Sequence, residues 1–273
     1  MAVRTSNTAN ESTVKDFKLY TGVIPYKVVA VNPNLKELQE MGIDYMKEEP
    51  EYIVEQTFND NTVKSTIIDF WIQSLPNPEY PELDILNNIR FRVNHEPWVG
   101  NNSNKKQFIN KYGRTAWADN ASLLGDNKYF KNESCRQAHR GEEELHKFLF
   151  GWLNMSYDDK TERWDECLLD INKLIKGDFS ELKSLVEDSP NFKVKILTGV
   201  LISEKDGKIR YYQTFYNKMF LKHNQTSTNR LQEFISKDEY NEFKTDYYTF
   251  DIQEFDKSVK PDEDPVKEPE EVF

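Results

Sequence analysis

The chain has 273 residues, 13% of them aromatic and 30% charged, with a formal net charge of −11. That length suits one large domain or two small ones, and the aromatic content supports a packed core rather than a disordered or fibrous chain. Two cysteines are too few for a disulfide framework, the N-terminus has no apolar signal segment, and no apolar run approaches a membrane span. A cytoplasmic protein with reduced thiols is therefore expected.

Residues 1–15 are polar and read as a flexible N-terminus. Phe17 to Val31 reads as strand with a bend at Gly22, and Asn32-Pro33-Asn34 opens a short helix, Leu35 to Met41, with Gly42 past its end. Tyr52–Phe58 and Val63–Ile72 predict a hairpin around Asn59-Asp60-Asn61, and three prolines mark the connection that follows. Asn88–Asn94 alternates cleanly: Ile89, Phe91 and Val93 face one way, Arg90, Arg92 and Asn94 the other. Gln107–Tyr112 is a short strand that continues past Gly113 to Trp117. From 136 the period becomes helical, with Leu145, Phe148, Leu149, Trp152 and Leu153 on one stripe. A second helix is predicted over Thr161–Lys176, and a third from Ser180 to before Pro190. Phe192–Ser203 and Lys208–Leu221 flank Glu204-Lys205-Asp206-Gly207, a hairpin signal, and a last helix is predicted over Arg230–Lys244. The order is β-rich, helical, then β-rich. This predicts a mainly β, α+β domain over residues 16–250: an OB-fold-like antiparallel barrel with a helical insertion at about 136–190. Separate folding of that helical stretch is the alternative.

Charge is segregated. Residues 86–140 carry a net +6 and residues 193–222 a net +5, so local patches suit a polyanion although the total does not. In the first stretch the candidate contacts are Arg90, Arg92, Lys105, Lys106, Lys111 and Arg114, interleaved with Trp98, Tyr112 and Trp117. In the second, Arg210, Tyr212, Thr214, Tyr216, Lys218 and Phe220 fall on one face of a strand at period two. Cations meet phosphates and release counterions, while rings stack on bases whatever their identity. Half-buried sheet tyrosines are the competing reading of that strand, and Phe91 and Phe108 are assigned to the core.

Residues 251–273 hold nine carboxylates against Lys257, Lys260 and Lys267. Asp262, Glu263, Asp264, Glu268, Glu270 and Glu271 are broken by prolines, and the chain stops on Phe273. Such a segment buries too little apolar surface to offset its ordering entropy, so a disordered acidic tail is expected from 251 onward.

Several runs carry a resemblance. They are Phe17-Lys18-Leu19-Tyr20-Thr21-Gly22, Val28-Val29-Ala30-Val31-Asn32-Pro33, Phe108-Ile109-Asn110-Lys111-Tyr112-Gly113 with Trp117, Arg136-Gln137-Ala138-His139-Arg140-Gly141-Glu142 with Leu145 and Phe148-Leu149, and the tail tip. Together they resemble the replicative single-stranded DNA-binding proteins of tailed bacteriophages, over roughly the first 155 residues plus the tail. The resemblance implies an OB-fold that coats single-stranded DNA without sequence preference in replication and recombination. It implies an acidic tail that competes with DNA and docks its terminal Phe on replication partners, DNA polymerase and helicase–primase, with a homodimer possible. The helical insertion departs from that pattern.

Other chemistry is sparsely signalled. Cys135, His139, His146 and Cys167 are irregularly spaced and lack a C-x-x-C pair, so no metal is assigned and no cofactor is expected. There is no P-loop, G-x-S-x-G or H-E-x-x-H, and Glu142, Glu143 and Glu144 read as a first helical turn offsetting the dipole, so a non-catalytic protein is expected. The alternative function is a phage structural or interaction protein whose acidic tail packs on another subunit.

Overall fold

The computed structural model describes residues 18–58, 61–100, 104–128, 130–131, 134–155, 157–158, 163–164, 169–188, 192–205, 208–223 and 249–258. It is mainly antiparallel β with a few helices. In chain order the elements are β1 (Tyr20–Val31), α1 (Leu35–Glu40), β2 (Ile53–Phe58), β3 (Asn61–Ser74), β4 (Leu86–Asn94), β5 (Lys106–Asn110), β6 (Thr115–Ala118), β7 (Cys135–Gln137), α2 (Glu142–Trp152), β8 (Tyr157–Asp158), β9 (Arg163–Trp164), α3 (Ile171–Leu174), α4 (Ser180–Asp188), β10 (Lys193–Lys205), β11 (Lys208–Lys222) and β12 (Gln253–Glu254).

Strand β3 pairs with β4 along one edge and with β2 and then β1 along the other. The far edge of β1 takes β10, and β10 takes β11. The long strands therefore lie in the order β4-β3-β1-β10-β11. The fourth long strand returns beside the first, which makes a Greek key. Among the described residues no backbone ladder joins β4 to β11, so the expected closed barrel is not formed by hydrogen bonding. Side chains bridge that seam instead: the Phe91 and Phe220 rings lie 6.0 Å apart, and Asn87 donates to the Gln213 carbonyl at 3.3 Å.

The core follows from period two on the strands and 3.6 on α2. Ile68, Phe70, Ile72, Ile89, Phe91 and Val93 point inward with Ile24, Tyr26, Val194 and Ile196. Helix α2 turns Leu145, Phe148, Leu149 and Trp152, all fully buried, into the same core. Phe148 packs on Phe70 at 4.6 Å, Phe220 at 5.2 Å and Phe91 at 5.4 Å. Helix α1 begins with a capping box, Asn34 and Glu37 each bonding the other's backbone. No helix among the described residues is long and apolar enough to cross a membrane.

Several expectations change. Cys135–Gln137 is a strand paired with β5, so the helix starts at Glu142, not near 136. A helix over Thr161–Lys176 is replaced by β9 and the single turn α3. Asp170 caps α3 by accepting from Asn172 N, and Gly177 follows it at φ 82°. Strands β5, β6 and β7 form a separate three-stranded sheet, so the segment between β4 and β10 departs from the main sheet at 95 rather than at 136. The predicted helix over Arg230–Lys244 lies outside the described residues, as do residues 1–15.

The tail boundary also moves. Residues 249–258, expected in part to be disordered, run as a strap along the start of β1. Val23 donates to the Phe250 carbonyl, β12 pairs with Tyr20 and Thr21, and Phe255 N bonds the Leu19 carbonyl at 2.7 Å. Phe255 is buried beside Tyr211, with ring centroids 5.9 Å apart. Gly22, at φ 124°, is required here because a Cβ would lie 2.6 Å from the Asp251 carbonyl oxygen. An apolar anchor every few residues (Phe250, Ile252, Phe255) holds this part of an otherwise acidic segment.

Candidate nucleic-acid interface

The outer face of β3 and β4 carries Ile67, Asp69 and Trp71 opposite Arg92, Arg90 and Asn88. Arg90 and Arg92 share a face as the alternation required, but both are engaged. Arg90 donates two bonds to Asp69, at 2.7 and 2.5 Å, and Asp69 itself is only 3% exposed. Arg92 donates to Gln56. Residues 32–52 fold over this face. Leu38 and Ile43 pack on Trp71 together with Met41 and Met46, and Tyr52 donates to the Pro33 carbonyl at 2.6 Å. Burial, and then the nearby Asp69 carboxylate, raises the pKa of the Tyr52 phenol.

The small sheet arranges its aromatics differently. Its buried side holds Phe108, Ala118, Leu124 and Phe130. The other side pairs Gln107 with Trp117 and Ile109 with both Thr115 and Arg136. Trp98 enters this side because its N–H bonds the Ala138 carbonyl and its carbonyl accepts from Gln107. The Trp98 and Trp117 rings meet edge to face, 4.9 Å apart and inclined at 73°. Trp117 remains 42% exposed. The Arg140 guanidinium carbon sits 5.8 Å from the Trp98 centroid. Lys105 and Lys106 are exposed at the start of β5, and Lys106 is paired with Ala118.

Other candidates are distributed elsewhere. Tyr112, expected as a stacking platform, is 4% exposed in the turn after β5, with Lys111 Nζ 4.9 Å from its ring centroid. Turn closure onto Asn110, whose carboxamide accepts from the Tyr112 and Arg114 backbones, tucks that ring in. Lys111, Tyr112, Arg114 and Trp117 therefore belong to the small sheet and do not extend one face of the main sheet. On β11, the single face predicted from Arg210 to Phe220 is broken. The ladder to β10 shifts register between Ile196 and Thr198, and Phe215 and Phe220 both turn into the core. Arg210 is exposed and Tyr212 half-buried; the side chains of Tyr216 and Lys218 lie outside the described residues. So do the tail residues Asp262, Glu263, Asp264, Glu268, Glu270, Glu271 and Phe273.

One buried ionic cluster was not anticipated. Glu142, 1% exposed, accepts from Arg136 at both oxygens, from the His139 backbone at 3.1 Å and from His146 Nε2 at 3.4 Å. Burial pushes its carboxyl up, but the hydrogen bonds from His146 and Arg136, with their charge, outweigh that and hold it down at about 2. Gly141 precedes it at φ 88°, where a Cβ would lie 1.8 Å from the Arg92 carbonyl oxygen. This joint therefore locks the end of β4 to the start of α2. Arg136 and His146 also line a cavity of about 330 Å³ with Lys111, Ser134 and Cys135. Burial raises the Cys135 thiol pKa. Among the described residues no group of three or more His, Cys, Asp or Glu is arranged to hold a metal ion; His139 Nδ1 instead meets the Asn94 carbonyl oxygen at 2.8 Å, and Cys167 lies outside the described residues. Comparison with protein-family models, with curated proteins and with solved structures gives no match.

Proposed function

We propose that the protein binds single-stranded DNA without sequence preference, as a non-catalytic coating protein of phage-type replication and recombination. The observation that carries this reading is the strand order β4-β3-β1-β10-β11, with α2 inserted between the third and fourth long strands and packed beneath them. A five-stranded Greek-key sheet whose end strands are bridged by side chains is compatible with a partly open OB barrel, a scaffold that binds oligonucleotides, and so supports this reading. Exposed lysines and an exposed tryptophan on the small sheet supply the two chemistries that such binding uses, phosphate neutralisation and base stacking. The acidic tail supports the same reading. Its residues 259–273 carry six carboxylates against Lys260 and Lys267 and include Phe273, so they suit competition with DNA and docking to replication partners such as DNA polymerase and helicase–primase.

The test is tryptophan fluorescence on titration with oligo-dT, with EDTA present, over a salt series. Saturable quenching that weakens as salt rises is expected, and its slope gives the number of phosphates neutralised. Removal of residues 259–273 is expected to tighten binding several-fold at low salt. Unchanged or weaker affinity after that deletion removes the competition role. If neither the full chain nor the deleted chain binds, the DNA reading is refuted.

A further inference from the structure

Resting on the single-stranded DNA reading, we propose that the principal base-stacking site is the Trp98–Trp117 corner of the small sheet, and not the outer face of the main sheet. An OB barrel ordinarily offers its second and third strands to an oligonucleotide. On that reading those strands are β3 and β4; the outward residues of β3 are covered, while Arg90 on β4 keeps an exposed side chain. Ile67, Asp69 and Trp71, three successive outward residues of β3, are each 3% exposed. Trp71 lies under Leu38 and Ile43, and the Arg90 charge is matched by Asp69. A strand entering this face must first displace residues 32–52. Tyr45, 41% exposed, is the large aromatic that remains accessible there.

The small sheet needs no such displacement. Edge-to-face packing leaves ring surface open in a corner formed by the two indoles, and a base lying on one ring meets the other side-on. Arg140, over Trp98, puts a cation within reach of the adjoining phosphate. Lys105, exposed and on the Gln107–Trp117 side by strand alternation, extends the positive charge at the start of β5. Glu143, which accepts from Gln107 at 2.9 Å, is also paired with Lys147 at 3.1 Å, which limits its repulsion of a polyanion. The corner therefore combines an open π-surface with cations on a folded scaffold.

Fluorescence anisotropy of a labelled oligo-dT on the full-length chain at low salt tests this, comparing Trp117→Ala with Tyr45→Ala. Loss of one stacked base at about 1–3 kcal/mol corresponds to a fall in affinity of roughly fivefold to a hundredfold. Trp117→Ala is expected to show that fall with an unchanged salt slope, since no cation is removed. Tyr45→Ala is expected to stay within twofold. Trp117→Phe is expected to recover most of the affinity, which separates ring stacking from a loss of fold. If Trp117→Ala stays within twofold while the parent chain binds, the inference is overturned and the DNA reading stands. If the parent chain does not bind, the DNA reading fails and the inference fails with it.

Discussion

The main sheet and the small sheet spend their aromatic residues in opposite ways. In the main sheet Phe70, Phe91, Phe148, Trp152 and Phe220 contact one another at 4.6–6.1 Å and are all buried, and the outer face of β3 is covered as well. In the small sheet one face is closed by four modest side chains, while the other leaves Trp117 in solvent. A large ring exposed on a small sheet adds little to stability. Rings at the centre of a shared cluster add a great deal. Buried aromatic packing is thus concentrated in one sheet, and accessible ring surface in the other.

The largest effect that tests this division is in the shared cluster. Phe148→Ala removes the ring that touches Phe70, Phe91 and Phe220, and truncations of this kind cost about 3–5 kcal/mol. Urea unfolding followed by circular dichroism is expected to show an unfolding free energy lowered by that amount. Phe130→Ala, in the four-residue core of the small sheet, is expected to lose about half as much because the site is shallow and collapses more easily. Equal losses at the two sites would abolish the distinction.

The joint between the sheets gives the next effect. Glu142 sits at the start of α2, which packs into the main sheet, yet it holds Arg136 of the small sheet. Its folded pKa is depressed from 4.5 to about 2. A depressed carboxyl contributes stability above its unfolded pKa and loses that contribution as the pH falls through the folded value, so the window is pH 4.5 to 2. The contribution at pH 7 is on the order of 3 kcal/mol. Glu142→Gln is expected to lose about that much at neutral pH. The gap from the parent protein should close as the pH approaches 2, and a pH-independent gap would mean that the carboxylate charge is not the cause.

How much of this was legible in the sequence depended on whether the cause was local. The alternation of Ile89, Phe91 and Val93 against Arg90 and Arg92, the helical stripe of Leu145, Phe148 and Trp152, and the Asn34 cap are local patterns, and each appears as expected. Phe220 turned inward because of a register shift against β10, which no spacing within β11 announces. Tyr112 was drawn out of solvent by a turn closed on Asn110, and Trp98 met Trp117 through pairing across a segment boundary. Asp69 was not singled out, since its partner Arg90 is 21 residues away. Of the candidate site, then, the residue types and the two tryptophans that meet in the structure were singled out from the sequence. The sealing of β3 by residues 32–52 was not, because it is a tertiary contact made by a connection with little periodicity of its own.

The smallest effect concerns the strap that covers the start of β1. Phe255 packs its ring beside Tyr211, the Tyr211 hydroxyl donates to the Lys257 carbonyl at 2.9 Å, and Tyr80 donates to the Ile252 carbonyl at 2.5 Å. These contacts lie along one margin of the main sheet, not in its aromatic cluster, so their loss should release the strap without unfolding what it covers. Phe255→Ala is expected to cost about 2 kcal/mol, the value of burying one such side chain. The expected signature is local: amide exchange at Gly22, Val23 and residues 250–257 speeds up, while Ile68, Phe70 and Ile72 keep their protection. On the proposed competition between residues 259–273 and DNA, releasing residues 249–258 lengthens the tether and lowers the effective concentration of the competing segment. Phe255→Ala should therefore tighten oligonucleotide binding modestly in the full chain and have no effect once residues 259–273 are removed. If global unfolding accompanied strap release, the strap would belong to the stabilising core of the sheet rather than to a separable margin, and the division between the two regions would have to be redrawn.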